Sequence, residues 1–111
     1  MISKESQYIE FKLNWKEDIL KNVSAFANSE GGFLYIGIND KGEAIGVKDP
    51  ITLLETLPNI INQKTGIIPV FILEHIEEKQ IVKIIVQPSS VPISYNGRYY
   101  LRSGSVVLEL Q

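Results

Sequence analysis

Two glutamates, Glu5 and Glu10, stand in "ESQYIEFK" near the start of the chain. Two carboxylates brought together can hold a hard divalent cation against a phosphate. Side chains five residues apart on one strand point to opposite faces, so these two converge only where Glu5 precedes the strand on a turn or loop. The alternative is a pair of solvated acids beside an ordinary first strand. Candidate cations lie at the other end of the chain. In "RYYLR", Arg98, Tyr100 and Arg102 share one face of a strand, and Lys12 and Lys41 add charge from the first strand and from a turn. Together they could line one groove that touches phosphates, with Tyr99 or Tyr100 as a stacking surface.

Other chemistries find little support. There is no cysteine, which removes thiolate metal sites, disulfides and cysteine nucleophiles. His75, the single histidine, falls in "LEHIEE" beside a hairpin turn and reads as a sheet residue rather than a general base. The glycines of "EGGFLYIG" lack the following Lys and Ser or Thr of a phosphate-binding loop, and the helix comes before them rather than after. Trp15 and Phe26 read as packing residues.

The elements that must position these groups follow from periodicity. Ile9, Phe11 and Leu13 alternate with Tyr8, Glu10 and Lys12, the pattern of a half-buried strand. Between Trp15 and Asn28, Ile19, Leu20, Val23, Phe26 and Ala27 recur at helical spacing, and "NSEGG" stops the helix. "FLYIGI" reads as a central strand, "NDKGE" as a turn and "AIGV" as a short return strand. Asp49 and Pro50 open a second helix as cap and first residue, and Pro58 is expected to kink or restart it. "PVFILEHI" and "IVKIIVQ" form a hairpin, and "RYYLR" follows a proline-containing loop. The expected fold is α+β, a mixed sheet with two main helices, in the order strand, helix, strand, strand, helix, strand, strand, strand.

The 111 residues amount to one domain, residues 1–111, whose apolar C-terminal pattern suggests excision from a longer protein or an edge that takes a partner. No apolar stretch approaches the roughly 20 residues that cross a bilayer, and "MISKESQ" has no secretory apolar run, so a cytoplasmic protein away from membranes is expected. A net charge of −2 and a pI near 5.4 argue against coating of nucleic acid by bulk charge. Any such binding needs a gathered local patch.

Three blocks, "ESQYIEFK", "VSAFANSEGGFLYIGINDKGEAIGV" and "VQPSSVPISYNGRYYLRSGS", resemble the Schlafen AlbA-like domain family in wording, order and spacing. The resemblance implies nucleic-acid contact, DNA or RNA, in a transcriptional regulator or defence protein. In the Schlafen members that cut RNA it also implies a triad of acids, which here would be Glu5, Glu10 and Asp40. Such a triad would hold Mg²⁺ or Mn²⁺ and activate water as a ribonuclease does. This chain departs from those members by having one unduplicated domain and fewer residues between "EFK" and "AFAN". Binding through phosphate contacts, which requires no cofactor, is therefore the leading expectation, with metal-dependent cutting second and self-association as a homodimer third.

Overall fold

The protein is described by a computed structural model over residues 4–110, so the ends of "MISKESQ" and "VVLELQ", residues 1–3 and 111, lie outside the described residues. Strand β1 (Ile9–Lys12) runs parallel to β2 (Gly32–Ile36), with Ile9 opposite Phe33 and Lys12 opposite Ile36. Parallel neighbours need a crossover, and α1 (Ile19–Ala27) provides it. The turn before α1 uses Lys16 and Glu17 carbonyls, so the helix starts at Ile19 rather than near Trp15. Gly31, at φ 76°, donates to the Phe26 carbonyl and turns the chain into β2. A Cβ there would sit 2.6 Å from the Val86 oxygen, so only glycine fits.

Helix α2 (Pro50–Thr65) begins where Asp49 accepts hydrogen bonds from the Thr52 amide and hydroxyl. Pro58 lies inside α2 and does not end it. The cost of an internal proline is about 3 kcal/mol. Burial of Leu57 and Ile61, with Leu53, Leu54 and Ile60 packed against the core, offsets it at roughly 1.5–3 kcal/mol for each fully buried side chain.

Strands β3 (Val70–Ile76) and β4 (Lys79–Val86) form a hairpin that completes a four-stranded sheet in the order β1-β2-β4-β3. A second sheet, β5 (Ser94–Tyr95), β6 (Arg98–Ser103) and β7 (Val106–Glu109), is antiparallel throughout. Helix α1 lies between the two sheets, touching β2 and β4 on one side and β6 on the other. Every residue of α1 except Lys21 is therefore buried. The Asn28 side chain locks this sandwich by donating to the Ile93 and Tyr100 carbonyls and accepting from the Ile93 amide.

The expected α+β class and element order hold, with β5 and β7 as additional strands. The segment "AIGV" pairs with its neighbour only at the Ile38–Ala44 bridge. Ile45 and Gly46 amides both converge on the Gly37 carbonyl, and the Val47 amide then donates to the Gln80 carbonyl. The chain crosses over the end of β4 instead of laddering back along β2. Val106 and Leu108 on β7, and Leu110 just after it, all remain about half exposed.

Candidate nucleic-acid interface

Arg102 occupies the centre of the contact between the two sheets. Its residue is 4% exposed, on the side of β6 that Tyr100 also uses to face α1. One guanidinium nitrogen, Nη1, donates to Glu10 Oε1 at 2.7 Å, and Nη2 donates to the Ser6 and Ile9 carbonyls at 2.7 and 2.8 Å. Nε donates to the Gln7 carbonyl at 3.0 Å, and the guanidinium lies 4.6 Å from the centre of the Phe26 ring. Gln7 answers by donating from Nε2 to the Arg102 carbonyl and accepting from the Gly104 amide. A buried guanidinium needs a charge partner and filled donor positions, and this one has both.

Glu5 and Glu10 do come together, because Glu5 precedes β1 and folds back beside it. Its Oε2 accepts from the Phe11 amide at 2.9 Å, a donor on the outer edge of β1. Burial pushes the Glu5 carboxyl above its ordinary range, and the neighbouring Glu10 adds to the rise, while the Phe11 amide and Arg102 pull it back. Glu10 is 7% exposed, with Oε1 on Arg102 and Oε2 3.4 Å from Lys12 Nζ.

The three-carboxylate site expected of Glu5, Glu10 and Asp40 does not form. Asp40 is exposed in the turn after β2, and no three His, Asp or Glu side chains among the described residues stand together as a metal-binding group. Both Glu10 oxygens already face cations, so the donor set does not fit Mg²⁺ or Mn²⁺.

The expected basic groove is also taken apart. Arg102 is spent on the interior, and Tyr100 is 5% exposed, which leaves no ring face for a base. Both were expected on a surface because "RYYLR" was treated as having a solvent side, whereas that side is the one pressed against α1. Lys12 is held by Glu10. Arg98 is exposed but ion-paired to Glu109, whose hydrogen bond and charge push the guanidinium's pKa upward. Arg98 borders a cleft with Asn96, Tyr99 and Leu110 that includes none of the other predicted cations. Lys41 stays exposed in a turn whose amides are gathered by the Asn39 side chain.

A different pair of cations remains available. Lys48 and Lys79 border an open cleft of about 520 Å³ between residues 45–48 and the tip of the β3–β4 hairpin. Neither has a carboxylate within ion-pair distance among the described residues. The Val47–Gln80 hydrogen bond holds the two walls together, and Gly46, at φ 90°, lets the loop pass close over Lys79. His75, Glu78 and Ile45 complete the rim. Sequence reading missed this pair because the walls are about 30 residues apart along the chain; the available signal was two lysines without a neighbouring acid at helical or cross-strand spacing.

This arrangement of a helix held between a mixed sheet and a small antiparallel one is shared with other proteins. The chain belongs to the Schlafen AlbA_2 family, which matches residues 5–111. It is similar to the crystal structure of the DIP2311 protein from Corynebacterium diphtheriae, at 22% identity and a TM-score of 0.80 over 94% of this chain. The match spans only 22% of that longer chain. It is also similar to the solution structure of the N-terminal domain of a RecG-related protein from Nitrosomonas europaea. There the identity is 26% and the TM-score 0.69, over 95% of this chain and 83% of that domain.

Proposed function

We propose that this domain binds nucleic acid through phosphate contacts and serves as the nucleic-acid module of a regulator or defence protein. Membership in the Schlafen AlbA_2 family supports the reading, and so does the RecG-related neighbour, whose name ties it to ATP-dependent DNA helicases. The observation that carries it is the state of the cations. In a chain of net charge −2, among the described residues four basic side chains are consumed by intramolecular ion pairs, yet Lys48 and Lys79 stay unpaired at one cleft. Gathered, uncompensated lysines are what an acidic domain needs to hold a phosphate at all.

Contacts of this kind position a backbone and read little sequence. Anisotropy of labelled DNA and RNA oligonucleotides across a salt series checks the proposal. Affinity should fall as salt rises and vary little with sequence. Absence of binding to every DNA and RNA at low salt would overturn it. Cutting is not included, since Glu10 is committed to Arg102 and Lys12 and, among the described residues, Asp40 belongs to no group of three that could hold a metal ion.

A further inference from the structure

We infer that the cleft at the β3–β4 hairpin takes a short single-stranded stretch of nucleic acid, holding one or two phosphates, and disfavours a duplex. This rests on the nucleic-acid reading above and assigns it a place and a strand form. Lys48 and Lys79 supply two charges on flexible stems at the rim. Between them the surface is not polar throughout: Ile45 is 49% exposed, and the exposed imidazole of His75 stands at the same rim. A base freed from pairing can lie against an apolar side chain and a ring, whereas a base in a duplex is stacked out of reach. The volume, about 520 Å³, suits one or two nucleotides.

The turn beside the cleft supplies the discrimination. Glu77 and Glu78 are the two central residues of the hairpin turn, at φ 51° and 68°, and both are exposed. Positive φ at both positions is the turn in which Asn-Gly sits without strain, yet here two carboxylates occupy it. Glu78 itself borders the cleft. A duplex presents a phosphate roughly every 1.7 Å along its axis, so seating it on the lysines would drive its second strand toward these carboxylates. A single strand can turn away from them.

The test compares three fluorescein-labelled probes of about ten nucleotides, oligo-dT, oligo-U and a mixed-sequence DNA duplex, by anisotropy over a salt series. At least one single strand should bind with a slope of log affinity against log salt near about −1.4, the value for two phosphates on a single strand. The duplex should bind about tenfold or more weakly than that strand. Lys48→Ala with Lys79→Ala should take the slope close to zero while leaving the thermal transition unchanged. Glu77→Asn with Glu78→Gly should raise duplex affinity more than single-strand affinity. Wild-type binding by the double-lysine variant would overturn the assignment and leave the nucleic-acid function standing. Equal or tighter binding of the duplex would overturn the strand preference. Failure of all three probes at low salt, extended to longer DNA and RNA, would remove both.

Discussion

Arg102 and Lys79 are both strand cations, and they have opposite fates. Arg102 lies between two sheets, where its charge is matched by Glu10 and its donors by three carbonyls. Lys79 lies at a hairpin tip, where solvent makes an unpaired ammonium inexpensive. Burial decides whether a positive charge serves the fold or remains for a ligand. The interior site stabilises and has its charge and donors filled, whereas the tip keeps an unpaired charge among the described residues at little cost to stability.

The sharpest way to break that comparison is to remove the interior cation. Arg102→Ala leaves the buried Glu10 with only the partly exposed Lys12 as a partner and frees the lead-in to β1, so chemical denaturation should show a loss of about 3–5 kcal/mol. Replacing Glu10 and Arg102 together with leucine and methionine should recover much of it, because the two buried charges leave together and the partly exposed Lys12 can turn to solvent. A loss under about 1 kcal/mol for the alanine variant would mean the interior site contributes no more than a surface pair.

A smaller and opposite effect is expected at the tip. Glu77→Asn with Glu78→Gly relieves two non-glycine residues held at positive φ, and should stabilise by about 1–2 kcal/mol. A thermal transition several degrees higher would register it. No gain would show that the turn holds its carboxylates without strain.

The smallest effect concerns Glu5. Its carboxyl holds a proton more tightly in the folded chain than in the unfolded one. That contribution is complete below the ordinary value of 4.5 and fades as pH rises through the raised folded value. Glu5→Gln keeps an acceptor for the Phe11 amide and cannot ionise. The variant should match the parent at acid pH and be modestly more stable at neutral pH, as read from denaturation midpoints across the pH range. Parallel curves would show that Glu5 ionises freely beside Glu10.

Much of the architecture was legible in local pattern. Alternation in 9–12, helical spacing from Ile19 to Ala27, the Asp49-Pro50 start and the 70–86 hairpin each depend on neighbours along the chain. The site was less legible, because its controlling contacts join distant segments. Glu10 was placed on a solvent side by alternation, but the Arg102 side chain from β6 reaches across and covers its carboxylate. Tyr100 and Arg102 were read together correctly as one face, and only the second sheet decides that this face is internal. The approach of Glu5 to Glu10 was conditional on a turn before β1, and the Ser6–Ile9 bridge makes that turn. "AIGV" failed as a strand because Gly37 and Gly46 at positive φ redirect the chain across β4.

The clasp of Arg102 on Ser6, Gln7, Ile9 and Glu10 joins positions more than 90 residues apart. During synthesis the first strand emerges long before its guanidinium does, so its entry segment has to wait, unfastened, until the final hairpin leaves the ribosome. Folding of this domain should therefore finish late and all at once rather than accumulate from the N-terminus.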